Sequence, residues 1–246
     1  MNTILAPMPF ADFHSKSSAV AERVFASYPD GALDEQAGPA YLRGLGLSRW
    51  LFWRRLREVQ SLLPEQGETA IDFGTGFGMM LPLLAQRFER VWAIDLMPDL
   101  SRRYLELWRC EEQTELPHVA WGESIEEAGD APIDLILALD VLEHVDDLDA
   151  LVASFAERLS PQGRLIVSGP TENFWYRLGR RIVGFSGDYH VRTIFDIRAS
   201  LERCFEIEQT RSVGLGFTLF EIYVAAPKKS SKTREATTHS EAEAPR

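Results

Sequence analysis

Apolar residues recur along this chain in two rhythms. Short runs that end in an acid or a glycine alternate with longer stretches whose apolar positions fall three and four apart. The short runs predict strands at Thr69–Phe73, Arg90–Asp95, His118–Trp121, Ile133–Leu139 and Arg164–Ser168. Ile133–Leu139 is apolar almost throughout, as a strand buried on both faces should be. The longer stretches predict helices from Met79 to about Arg87, from Pro98 to about Arg109 and over Asp147–Leu159. In the first of these, Pro82 is tolerable because it lies in the opening turn. Strand and helix in strict alternation specify a parallel, doubly wound α/β sheet.

Both ends depart from this rhythm. Residues 1–64 read as an N-terminal helical extension, 65–227 as the main domain and 228–246 as a disordered tail. Within the extension, prolines and glycines leave a short helix near Ser18–Ser27. An amphipathic helix from Tyr41 to about Leu63 follows, with Leu45, Phe52, Leu56, Val59 and Leu63 among five arginines that include Arg54 and Arg55. After the fifth strand, 171–192 forms an insertion without a strand, followed by a helix over Ile194–Cys204. Phe205–Val213 and Phe217–Ala225 are separated only by Gly214-Leu215-Gly216, so they must pair antiparallel. The polar, aromatic-free tail cannot offset its ordering entropy.

The candidate chemistry begins at Asp72-Phe73-Gly74-Thr75-Gly76-Phe77-Gly78. Glycines at alternate positions allow positive φ and close approach of a ligand. The loop then feeds a helix N-terminus, which favours a carboxylate or phosphate. A nucleotide-type ligand at the first strand-to-helix turn is the direct reading. In the dinucleotide fingerprint the third glycine would fall at Met79, which speaks against a nicotinamide enzyme.

The acid-x-Gly-x-Gly-x-Gly order resembles the first motif of the class I S-adenosylmethionine-dependent methyltransferases. Ala138-Leu139-Asp140-Val141-Leu142-Glu143-His144-Val145 resembles their fourth-strand motif, with the Leu-Glu-His ending of the quinone- and lipid-type small-molecule enzymes. The terminal hairpin is also typical of that family. The resemblance implies a Rossmann-like methyltransferase fold: a mostly parallel seven-stranded sheet closed by an antiparallel hairpin. It implies S-adenosyl-L-methionine as cofactor. Asp72 then faces the methionine end, Gly74 and Gly76 lie beneath the cofactor with Thr75 also in contact, and Asp95 holds the ribose diol. Leu96 and Met97 pack on adenine, Glu123 and Ser124 read its amino group, and Ile125 lies against the ring. Leu139 and Asp140 border the methionine part. Glu143, Tyr189 and Trp175 fall to the acceptor, and His144 and His190 are the two candidate bases.

Composition narrows the acceptor. A net charge of -11 argues against non-specific nucleic-acid binding. Cys110 and Cys204 show no paired metal spacing; no metal is expected, and free thiols in a reducing, cytoplasmic setting fit better than a disulfide. No stretch is apolar and long enough to cross a bilayer. The segment 174–185, with Phe174, Trp175, Phe185, Arg177, Arg180 and Arg181 and no acid, fits either a lid over the acceptor or peripheral contact with a membrane. The acceptor is thus expected to be a small or lipid-like molecule; its attacking atom and the oligomeric state stay open. The alternatives are a non-catalytic partner subunit of the same fold and, less well supported, a nicotinamide oxidoreductase.

Overall fold

The computed structural model describes residues 8–28, 46–112, 119–171 and 192–228. The two helices of the N-terminal region are α1 (Phe10–Ala26) and α2 (Gly46–Leu62). The sheet and its covering helices follow in order: β1 (Gly67–Phe73), α3 (Leu81–Ala85), β2 (Phe88–Ile94), α4 (Asp99–Glu112), β3 (Val119–Gly122), β4 (Ile133–Leu139), α5 (Leu148–Arg158), β5 (Leu159–Pro170), α6 (Ile194–Cys204), β6 (Phe205–Gly214) and β7 (Thr218–Pro227).

The seven strands lie in the order β3-β2-β1-β4-β5-β7-β6. β1 pairs parallel with both β2 and β4, β3 joins β2 and β5 joins β4. β7 returns antiparallel between β5 and β6, as the three-residue link between the last two strands requires. The direction of winding reverses at β1, where β2 lies on one side and β4 on the other. That is the switch point at which open α/β sheets take ligands.

Strand alternation sorts the core into two layers. Ala70, Val91, Ala93, Leu135, Leu137, Ile166, Ile222 and Val224 pack under α1, α2, α3 and α4. Ile71, Ile94, Ile136, Ala138, Leu165, Val167, Tyr223 and Ala225 pack under α5 and α6. Leu135, Ile136, Leu137 and Ala138 are all fully buried, which accounts for the unbroken apolar run in β4.

Several elements differ from the pattern-based expectation, each for a local reason. α1 begins eight residues before Ser18, at Phe10, because Pro9 sits just ahead of the first turn, where a missing N–H costs nothing. Phe13, Ser17, Val20 and Val24 then form its buried stripe. α3 is only five residues long, since Gly78, Met79 and Met80 are taken up by the turn out of the glycine loop. β5 starts directly after α5, and Pro161-Gln162-Gly163 is an irregularity within the strand, where pairing with β4 shifts between Ile133 and Leu135. A Cβ on Gly163 would lie 2.6 Å from the Ile133 carbonyl oxygen, so only glycine lets the two strands run this close.

α2 carries the main correction. Arg55 was expected with the other arginines on its polar side. Arg55 is 1% exposed and Trp53 5%. Arg55 lies four residues after Leu51 and four before Val59, in the middle of the buried stripe. Leu47, Trp50, Arg54 and Arg57 make up the exposed face instead.

Candidate functional site

The ends of five parallel strands meet along one edge. Phe73 is level with Ile94 and Ala138, Ile94 with Gly122, and Leu139 with Ser168. The residues just beyond these positions are therefore neighbours, although they come from stretches far apart in the chain.

The glycine loop after β1 turns sharply. Gly74, Gly76 and Gly78 take φ of 71°, 53° and 83°, which side chains on L-residues rarely tolerate. The loop is tied to the second strand by Gly74 N–H and Thr75 N–H, both donating to the Ile94 carbonyl at 2.8 and 3.2 Å. The three glycines serve different neighbours. A Cβ on Gly74 would lie 2.3 Å from Val141, and one on Gly78 would lie 2.8 Å from Ser101. A Cβ on Gly76 would meet nothing closer than the Gly74 carbonyl oxygen at 3.9 Å. Gly76 therefore faces open space, and its bare backbone is the part of the loop a ligand can approach. Thr75 is buried and its hydroxyl donates to the Asp72 carbonyl at 2.8 Å, so a ligand meets its backbone rather than its side chain.

Two carboxylates flank this loop. Asp72 is 4% exposed. Burial, with the Asp95 carboxylate nearby, pushes its pKa up from 3.8 to about 7. A cation beside Asp72 would reverse that shift. Asp95 accepts from Gly76 N–H at 2.6 Å through one oxygen and from Met97 N–H at 2.9 Å through the other. It thus clamps the loop to the end of β2, a role the sequence reading did not foresee. Each oxygen keeps a further lone pair for a ribose hydroxyl. Beyond it, Leu96 is 77% and Met97 65% exposed, two apolar side chains left facing water at the crevice.

After β3, Glu123 N–H and Ser124 N–H both donate to the Glu127 carboxylate, closing a capping box on the short 3₁₀ turn Ile125–Ala128. Glu123 is exposed and Ser124 half-buried, where a purine edge could reach them. Ile125 is different: at 2% exposed it belongs to the core under α5 and α6.

The end of β4 is built in another way. Asp140 adopts φ 53°, the one described non-glycine residue with positive φ. Its N–H donates to the Ser168 carbonyl at 2.8 Å, and its carboxylate forms an ion pair with Arg55 from α2. The Arg55 guanidinium also lies 5.2 Å from the Phe52 ring and 4.8 Å from the Phe220 ring. Leu142–His144 forms a 3₁₀ turn in which Glu143 is 1% exposed, whereas His144 is displayed to solvent. Leu139 is half-buried at the strand end. His190, Tyr189 and Trp175 lie outside the described residues, as do the rest of 172–191 and the tail beyond Lys228.

A family model for the methyltransferase domain matches residues 48–207. The chain belongs to this family. S-adenosylmethionine is the cofactor of these enzymes, and the sheet edge suits it: an open glycine for close contact, buried acid for the cationic end, and apolar side chains for the base. The matched span includes most of α2 as well as the sheet as far as the start of β6.

Among similar proteins, the ubiquinone biosynthesis O-methyltransferase of Xylella fastidiosa (strain 9a5c) is 34% identical over 115 residues, which is 46% of this methyltransferase and 46% of the relative. That of Xylella fastidiosa (strain M23) is 31% identical over 145 residues, 58% of this chain and 56% of the other. The chain thus spans about half the length of the curated relatives it matches. Among solved structures, the N-methyltransferase NodS of Bradyrhizobium japonicum WM9 with S-adenosyl-L-homocysteine superposes with a TM-score of 0.55 at 16% identity, covering 87% of this chain and all of that one. The magnesium protoporphyrin IX methyltransferase of Synechocystis PCC 6803 gives 0.54 at 19% identity over 88% and 97%. At such identities the likeness is one of fold.

Proposed function

We propose that this protein transfers a methyl group from S-adenosylmethionine to a hydroxyl oxygen of a small, apolar or lipid-like acceptor. One observation carries the reading. At the switch point of the sheet, Asp72 and Asp95 flank a loop whose central glycine faces open space. A hydroxyl on the acceptor is supported by the Xylella fastidiosa relatives, which are named O-methyltransferases.

Bound S-adenosylmethionine supplies an electrophilic methyl group on a sulfonium. The protein's part is orientation, which accounts for most of the advantage in an in-line displacement. Asp95 accepts from the ribose diol while holding Gly76 in place. Asp72 takes the cationic end in its ionised form. Leu96 and Met97 cover the base and lose their contact with water. A hydroxyl acceptor must give up a proton as it attacks. His144, exposed after β4, and His190 in the insertion are the candidates to take it, by way of a neutral imidazole nitrogen.

An apolar acceptor must also reach the site. The basic, aromatic segment 174–185 supports delivery from a membrane surface, with no helix among the described residues long and apolar enough to cross one. Co-sedimentation with anionic vesicles should fall when Arg177, Arg180 and Arg181 are changed to glutamate. Equal failure of both proteins to sediment removes the membrane step.

The main test is transfer of labelled methyl from the cofactor into a cell extract separated into lipid, polar-metabolite, protein and RNA fractions. Label in the lipid or small-molecule fraction supports the proposal. Label found solely in protein or RNA overturns it.

A further inference from the structure

The mechanism above uses the ends of β1 and β2 and His144 after β4, and leaves Asp140, at the end of β4, unexplained. Asp140 is held there in a left-handed conformation that an aspartate keeps only where its surroundings impose it. The surroundings are specific. Its N–H is fixed by the Ser168 carbonyl, Val141 beside it fills the space left by the missing Cβ of Gly74, and its carboxylate meets a fully buried guanidinium. Arg55 comes from α2, on the far side of the sheet order from the glycine loop's own helix, and its sequence separation from Asp140 is 85 residues. Arginine is almost never buried without a partner of this kind.

The pair does not use the whole carboxylate. Asp140 Oδ2 faces Arg55, while Asp140 Oδ1 is buried and has no hydrogen-bond partner among the described residues. At the adjoining end of β5, the Ser168 hydroxyl is likewise buried and unpartnered among them. A buried polar atom without a partner is costly, so two at neighbouring strand ends mark a place where a polar ligand is awaited.

We infer that Arg55 is a positioning residue. From α2 it holds Asp140 fixed, so that Asp140 Oδ1 and the Ser168 hydroxyl of the adjoining strand share with Asp72 the ammonium of the cofactor's methionine end. The inference rests on the methyltransferase reading and adds to it that α2 forms part of the cofactor site. It also gives a reason for an arginine within an otherwise apolar stripe. The chemistry is selective: Arg55 serves the amino-acid end of the ligand and contributes nothing to the nucleoside end, which belongs to Asp95, Leu96 and Met97.

The test compares two nucleosides by calorimetry on the full chain. S-adenosylhomocysteine carries the amino-acid end; 5′-methylthioadenosine lacks it. Arg55→Gln alone strands a buried carboxylate and is expected to melt early, so it decides little. The informative variant is Arg55→Met with Asp140→Asn, which removes both charges at similar volume and is expected to melt close to the wild type. It should bind S-adenosylhomocysteine about 10- to 100-fold more weakly, the worth of a hydrogen bond to a charged group, with methylthioadenosine affinity within about twofold. Arg55→Lys, which keeps the charge and loses the planar fork, should fall between the two. Ser168→Ala should show a smaller loss with the same selectivity. If the doubly changed protein binds S-adenosylhomocysteine as the wild type does, or loses both nucleosides equally, the pair is only structural and the inference fails. If the wild type binds neither nucleoside, the methyltransferase reading fails first.

Discussion

The two halves of the crevice are made by different means. At the ends of β1 and β2 the work is done by main chain: three glycines at positive φ, amides donating to the Ile94 carbonyl and to Asp95, and a bare surface at Gly76. At the ends of β4 and β5 it is done by side chains brought from elsewhere: Arg55 from α2, Phe220 from β7 and the buried Ser168 hydroxyl. The first half is local in sequence and needs few residues. The second depends on tertiary packing across the whole sheet. Changes in the first half should therefore separate folding from binding cleanly, position by position, whereas changes in the second should mix the two.

The sharpest version of this contrast lies between neighbouring glycines. Gly74→Ala places a methyl group 2.3 Å from Val141 at a φ that disfavours any Cβ. Overpacking and strain together should cost about 2–5 kcal/mol, lowering Tm by roughly 5–15 °C. Gly76→Ala meets no protein atom closer than 3.9 Å, so it pays only the strain, about 1 kcal/mol. It should nevertheless weaken S-adenosylhomocysteine binding at least about tenfold, because its methyl group occupies the ligand's approach. Thermal melts and calorimetry on the two variants read the difference. Equal melting temperatures with equal affinities would mean that the loop does not divide its duties in this way.

Asp95→Ala comes next in size. Its carboxylate serves both the loop amide and, in the proposal, two ribose hydroxyls. Binding of the cofactor or its demethylated product should fall by about 10- to 100-fold, with a loss of stability near 1 kcal/mol from the freed Gly76 and Met97 amides. Unchanged affinity in a folded variant would remove Asp95 from the site.

Asp72 gives the same half a pH signature. Its carboxyl, raised to about 7 by burial and by Asp95, keeps in the folded protein a proton that the unfolded chain has released. Stability of the ligand-free protein should thus be greatest below pH 4 as far as this group is concerned, decline as pH rises toward 7, and level off above it. Binding runs the other way. A cationic ligand selects the ionised form, so affinity should climb by up to about tenfold per pH unit as pH approaches 7 and then flatten. Asp72→Asn should abolish the slope. An affinity flat from pH 5 to 8 in the unmodified protein would show that no cation meets Asp72.

How much of this was legible in the sequence follows the same division. The parallel sheet, the terminal hairpin and the acid-glycine loop could be read because strand periodicity and φ preferences are local properties. Asp72, Gly76 and Asp95 were singled out for that reason. Arg55 was not, since an arginine among four others on a helix looks like solvent-facing charge. The available signal was its spacing from Leu51 and Val59, which places it on the buried stripe. The burial of Ile125 in the core was not legible, because a strand-end position says nothing about which layer a following 3₁₀ turn points into. The length of α1 was missed since prolines were taken as breaks, whereas Pro9 merely precedes the first turn.

The smallest effect should appear at the rim of the main-chain half. Leu96 is 77% exposed, so Leu96→Ala removes little buried contact and should leave Tm within about 1 °C. If adenine lies against this side chain, binding covers some of its surface. About 40 Å² at 25 cal/mol per Å² is near 1 kcal/mol, or roughly fivefold in affinity. The same loss should appear for S-adenosylhomocysteine and for methylthioadenosine, because both carry the base. That equality sets Leu96 apart from Arg55, for which the two ligands should respond differently. A Leu96→Ala variant that discriminates between them would place the amino-acid end, and not adenine, beside β2, and would exchange the two halves of the crevice.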